Sequence, residues 1–167
     1  MTIFPFVLEI KKLLGNLDTF LGKAIAHAEA KKYDPNTLLQ FRLAPDMLPL
    51  VFQIQSTCDS AKYAAARTSG KTPPSHADTE TTIEETRKRI ATVVAYLEEF
   101  KAADFEHIAT HKISLPRWEG KAMNGLDYFI EHAQPNFMFH LTMAYAILRH
   151  NGVEVGKRDY LGTMSMK

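Results

Sequence analysis

Apolar residues recur every three or four positions through most of this chain, and that spacing restricts it to helices that each bury one face. In the first segment Ile10, Leu13, Leu14, Leu17, Leu21, Ala24, Ile25 and Ala28 trace a single stripe, the 3.6-residue period of a helix packed on a core. Gly15 and Gly22 lie seven residues apart within it. A glycine inside a helix costs about 1 kcal/mol relative to alanine, so the pair predicts close approach of a neighbouring helix. "YDPN" at 33–36 ends the segment.

The same period predicts three further helices. A second starts near Pro45, because proline suits the first helical position and Asp46 suits the positive helix end; its stripe is Met47, Leu50, Val51, Ile54, Cys58, Ala61 and Ala65. "SGKTPPSHAD" at 69–78 reads as a loop. Thr81 with Glu84 three residues on makes a capping box for a third helix, whose stripe runs Ile83, Ile90, Val93, Val94 and Leu97 with Arg87 out of pattern. After Phe105 the period fails: "HKISLP" reads as a short strand and "RWEGKAMNG" as turn residues. Asn124 and Asp127 open a short helix over 125–133. Pro135 then fits the first turn of a fresh or kinked helix, which ends where Asn151 or Gly152 adopts the left-handed conformation. Four substantial helices with short connections predict an all-α bundle.

Composition narrows the function classes. A chain of 167 residues is long enough to bury a core as one domain, expected over 1–167. Twenty basic and nineteen acidic residues leave a net charge of +1, which builds no field favouring nucleic acid or an anionic membrane. Cys58 is the sole cysteine, so no intrachain disulfide forms. Lys11 and Lys12 interrupt the apolar start before any spanning length. These cues predict a cytoplasmic, soluble protein. Phosphate loops, dinucleotide fingerprints, nucleophile elbows and Cys-x-x-Cys pairs are absent from the sequence. Cys58 reads as an inert buried thiol. Trp118 with Arg117 and Lys121 forms an amphipathic turn too small for nucleic-acid recognition.

"QPNFMFHLTMAYAILRHNG", 134–152, carries the most informative polar residues. It is apolar on nearly every side, which predicts burial all round. His140 within it must then be hydrogen-bonded or liganded, since an unsatisfied buried polar group costs about 1–3 kcal/mol. Asn136 shares its face four residues earlier, and Gln53 on the second helix is a candidate to point inward towards the ring. The residue types leave two readings open: a hydrogen-bonded core pair or a ligand site. Asp59 and Lys62 read as an exposed or boundary ion pair. His107 and His111, although spaced H-x3-H, straddle the failure of helical period and read as surface residues, as do His27 and His76. The tail after Arg149 places Val153, Val155, Tyr160 and Leu161 among glycines and charges, so it is expected to pack on the bundle or on a partner subunit.

"RLAPDMLPLVFQIQSTCDSAK" (42–62) together with "PNFMFHLTMAYAILRHNGVEVGKRDYLG" (135–162) resembles the bacterial domain of unknown function family 1993, within the DinB/YfiT-like metalloenzymes. The resemblance covers essentially the whole chain. It implies an up-down-down-up four-helix bundle, commonly a homodimer, with a metal site of three histidines in its metal-bearing relatives. Position by position those ligands fall on Gln53, Asn136 and His140, of which only His140 keeps the imidazole. The resemblance therefore implies an inherited pocket whose affinity for Zn²⁺ or Ni²⁺ is severely weakened. Three readings result. The first is a dimeric binding module taking a small ligand at Gln53, Asn136 and His140. The second is a metal-dependent transferase or hydrolase in which His140 ligates the ion. The third is a structural or interaction protein without catalysis.

Overall fold

The computed structural model describes residues 2–166. Its long helices are α1 (Phe4–Ala30), α2 (Leu50–Ser69), α3 (Ile83–Glu98) and α5 (Gln134–His150). Between α3 and α5 lie two short strands, β1 (Lys112–Ile113) and β2 (Met123–Asn124), and a single-turn helix α4 (Gly125–Tyr128); α6 (Lys157–Leu161) closes the chain. Three sets of contacts fix the helix directions. Arg87 on α3 pairs with Asp18 and Glu98 with Lys11, so α1 and α3 run antiparallel. His140 and Asn136 of α5 meet Gln53 and Ser60 of α2 in reverse order. Phe4 packs on Phe105 while neighbouring Asp104 pairs with Lys71 just past α2, which brings the start of α1 to the end of α2. The result is the up-down-down-up bundle that the family resemblance implies, around one continuous apolar core.

Local chemistry accounts for most boundaries. Thr82, not Thr81, caps α3: its hydroxyl accepts from Glu85 N at 3.2 Å while the Glu85 carboxylate accepts from Thr82 N at 3.0 Å. "TTIEE" offers the capping box in two frames, and the structure takes the later one. Helix α2 begins five residues after the expected Pro45. Residues 44–47 instead close a turn, with Met47 N donating to Ala44 O, and Pro49 caps the helix by accepting from Gln53 N at 3.2 Å. The residue before a proline is pushed out of helical conformation, and here Leu48 precedes Pro49. β1 and β2 pair antiparallel, Lys112 opposite Asn124 and Ile113 opposite Met123. Gly152, at φ +86°, takes the left-handed position after α5.

Pro135 does not start a new helix. The chain runs from α4 into α5 without a break, through a π turn at Phe129–Ala133. A proline removes one N–H and crowds the carbonyl four residues back, and widening the turn before it relieves both. Nor is α5 enclosed on all sides. Phe137, Leu141, Ala144, Ile147 and Leu148 are buried, but Phe139 is 53% exposed, and Asn136 and Thr142 face solvent.

The two glycines of α1 also depart from expectation. A Cβ built at Gly15 or Gly22 meets nothing within 4 Å, so neither residue accommodates a close neighbour. Gly15→Ala and Gly22→Ala should each stabilise the protein by about 1 kcal/mol. Thermal melts of the single and double variants check this; a loss of stability would mean that these positions meet something the monomer lacks. The tail packs on α1: Val153 and Val155 are buried, Asn16 Nδ2 donates to Tyr160 O at 2.9 Å, and Lys23 pairs with Asp159 at 2.7 Å.

Candidate functional site

Residues seven apart on a helix return to nearly the same side, and so do residues four apart. Helix α2 therefore presents Gln53, Ser60 and Arg67 along one edge, and the chain from the π turn into α5 presents His132, Asn136 and His140 along another. The antiparallel helices bring these edges together as a polar seam. His140 Nδ1 lies 2.9 Å from Gln53 Oε1, and Asn136 Nδ2 donates to Ser60 Oγ at 2.7 Å. Farther along, Arg67 Nη1 donates to Tyr128 Oη at 3.1 Å. Gln53 and Ser60 are buried, His140 is half-buried and Asn136 is exposed.

The Gln53 amide decides the state of the ring. Its Nε2 donates to Leu48 O at 3.1 Å, so its Oε1 faces His140 as an acceptor. His140 Nδ1 therefore carries the proton and Nε2 keeps its lone pair. Burial lowers the pKa of His140 below its ordinary value of 6.5, which keeps the ring neutral. Phe52 and Phe139 approach it edge-on, at centroid distances of 6.0 and 5.2 Å.

A second polar cluster was not legible in the sequence. Lys62, expected in an exposed or boundary ion pair, is fully buried. Its Nζ lies 2.9 Å from Asp59 Oδ1 and donates to His76 Nδ1 at 3.0 Å. Arg89, also buried, donates to Asp59 at 2.7 Å, to Glu80 at 3.0 Å and to Ala77 O at 3.1 Å, and pairs with Asp78 at 3.0 Å. Gln55 completes the Glu80 carboxylate at 2.9 Å. Burial opposes the charge on Arg89, but its hydrogen bonds and attraction to Glu80 and Asp59 outweigh it and hold the guanidinium well above its ordinary range. This network pins the 70–82 segment across α2 and α3. It serves the fold, because every charge in it already has a partner.

The remaining histidines stay apart. His107 is exposed in a turn, and His111 lies against Gly70. His27 packs edge-on to Tyr33. Burial pushes the Cys58 thiol up to about 12, so at neutral pH it carries almost no thiolate.

Comparison with known proteins places this chain in a family. The family model for the domain of unknown function DUF1993 matches residues 6–161. The chain belongs to the DUF1993 family. No curated protein matches it. Among solved structures, the crystal structure of a DinB family member protein from Shewanella denitrificans is 53% identical, with 96% of this chain and 92% of that one covered and a TM-score of 0.94.

For this DUF1993 chain the donors at the implied metal positions do not suit a divalent ion. One imidazole remains, Asn136 turns its nitrogen to Ser60, and Gln53 is engaged by Leu48 and His140. Amides are poor ligands for Zn²⁺ or Ni²⁺ beside imidazole and thiolate. Among the described residues no three His, Cys, Asp or Glu side chains converge on a point.

Three half-buried rings give the DUF1993 chain a pH signature. Burial lowers the pKa of His76, His132 and His140, and nearby Lys62 and Arg89 add to it at His76, as Arg117 and Arg67 do at His132. The unfolded chain then binds protons first, so this stability is complete above 6.5, the ordinary histidine value, and is lost as pH falls through the lowered values. Glu80 and Asp159 are also lowered, from ordinary values of 4.5 and 3.8, and their contribution fades only at more acid pH. Urea midpoints should thus fall between about pH 7 and pH 5 at constant m-value. A flat profile there contradicts the burial of the rings.

Proposed function

We propose that this protein is a small-ligand-binding module whose recognition site is the α2–α5 seam at Gln53, Asn136 and His140. The observation that carries the reading is the fixed His140 ring. Gln53 holds Nδ1 at 2.9 Å and is itself anchored on Leu48 O, so Nε2 is a pre-oriented acceptor on a ring that Phe52 and Phe139 neighbour. Pre-orientation lowers the ordering cost of binding. The partner is a neutral hydrogen-bond donor with a small apolar body.

Phenol provides such a probe. Titrated into the protein, it should shift the His140 ring signals in NMR spectra saturably, and Gln53→Ala should weaken the effect by releasing the ring. Unmoved His140 signals would count against the site. Metal analysis of tag-free protein addresses the enzymatic alternative: substoichiometric metal agrees with the amide substitutions, whereas near-stoichiometric Zn or Ni, lost in His140→Ala, would replace this proposal with a metal-dependent transferase or hydrolase.

We also propose that two copies associate. Phe139, Ile130, Leu8 and Phe6 are 53%, 52%, 46% and 41% exposed, an apolar excess that a second copy would cover. Sedimentation giving the mass of one chain at all concentrations would refute it. Among the described residues no helix is long and apolar enough to cross a membrane.

A further inference from the structure

Four of the seven arginines are held by side chains, in two ways. Arg87 is gripped by both oxygens of Asp18, at 2.7 and 2.9 Å, and Arg89 meets Asp59, Asp78 and Glu80. Arg67 and Arg117 are held by neutral groups instead. Arg67 lies 4.1 Å over the Tyr63 ring and donates to Tyr128 Oη. Arg117 Nη2 is 2.5 Å from His132 Nε2. A guanidinium only donates, so Nε2 accepts and the His132 proton sits on Nδ1. That Nδ1 is enclosed with no hydrogen-bond partner among the described residues.

The two guanidiniums converge on one aromatic cluster. His132 stacks on Tyr128 at 5.2 Å, and Trp118 stands edge-on to both, at 5.8 Å from His132 and 6.1 Å from Tyr128. Both Arg117 and Arg67 contribute positive charge at the His132 ring. Glu119 and Glu131 adjoin the cluster in sequence, yet among the described residues neither Arg67 nor Arg117 is in an ion pair. A guanidinium oriented by neutral groups can take an anion, and around this turn Arg117 and Lys121 outnumber the one carboxylate, Glu119.

A cleft lies beside Arg117. Glu119 at φ +50° and Gly120 at φ +85° fold the turn back, leaving a space of about 520 Å³ lined by Arg117, Trp118, Glu119, Lys121, Ala122 and Met123. That volume is within the range of small-molecule sites. We propose that this cleft binds an organic anion, its carboxylate on Arg117 and its apolar or aromatic body against Trp118. Arg67 adds positive charge at the neighbouring His132 ring. A smaller cleft of about 200 Å³ at Arg67, Lys71, His111 and Lys112 is a weaker candidate, because it sits at the carbonyl end of α2, whose negative dipole those cations already offset. The proposal is independent of the His140 site.

Trp118 is the only tryptophan in the chain, so its fluorescence reports on this cleft alone. Benzoate, benzyl alcohol and inorganic phosphate are titrated separately into the full chain. Benzoate should change the emission saturably. Benzyl alcohol, with the same ring and no charge, should bind at least about tenfold more weakly, as should benzoate to Arg117→Gln, since a charge-assisted hydrogen bond contributes that much. Arg117 is exposed, so this variant leaves the core intact, and circular dichroism verifies it. His140→Ala should leave the benzoate response unchanged. Equal binding of benzyl alcohol, unaltered affinity in Arg117→Gln, or loss of the response in His140→Ala would each overturn the proposal. So would phosphate binding as tightly as benzoate, which would mean that bare charge is recognised without the apolar body.

Discussion

Arg89→Ala should lower the unfolding free energy by about 3–5 kcal/mol, the usual cost of removing one member of a buried charge network. In a chain of this size that corresponds to a drop in Tm of roughly 10 °C. Arg89 is 4% exposed and joins Asp59, Asp78 and Glu80 to the Ala77 carbonyl. Without it Glu80, which is also largely buried, keeps only Gln55. Lys62→Met is the informative contrast. It removes an equally buried cation but leaves Asp59 with Arg89, and methionine fills a similar volume, so the loss should be much smaller. Arg87→Ala, at the half-exposed pair with Asp18, should cost about 1 kcal/mol or less. Denaturant titrations of the three variants order them; an Arg89 variant no weaker than the Arg87 variant would show that the network is not what pins the 70–82 segment.

Phe20→Ala should cost about 3–5 kcal/mol, as for other buried aromatic truncations. Phe20 has no exposed area, and its ring meets Tyr145 of α5 at 5.9 Å and Tyr160 of α6 at 6.5 Å. It therefore ties the tail to the bundle as well as filling the core. Two readouts separate these roles. The melt reports the core loss, and limited proteolysis after Lys157 or Arg158 should become faster than at other basic residues. Wild-type resistance of α6 in the variant would mean that Asn16 and Lys23 hold the tail unaided.

Much of the fold was readable because it follows from local spacing. The stripes of α1 and α3, the glycine after α5 and the first short strand all depend on residues within a few positions of one another, whereas Met123 and Asn124, read as turn residues, form its partner strand. The errors share one cause. Pro45 and Asp46 look like a helix start, but the decisive residue is Pro49, whose carbonyl is the one that accepts from Gln53 N. Gly15 and Gly22 look like a packing notch, yet whether another helix approaches is a property of the assembled bundle. Pro135 leaves a fresh or a kinked helix open, and the structure takes the continuous one, with a π turn ahead of the proline absorbing the strain. His132 extends the four-residue series of Asn136 and His140, and Arg67 extends the seven-residue series of Gln53 and Ser60. Those repeats were the available signal for the third rung of the seam.

Side-chain periodicity dictates which face of each helix is buried, because burial of apolar area needs no particular partner. Hydrogen bonds and ion pairs do need one, and the partners here are remote in the chain: His140 and Gln53 are 87 residues apart, Asn136 and Ser60 are 76 apart, and Arg89 and Asp59 are 30 apart. Helix composition alone therefore established the bundle. Assembly of the bundle chose the protonated nitrogen of His140, buried Lys62, and left Arg67 and Arg117 without a carboxylate.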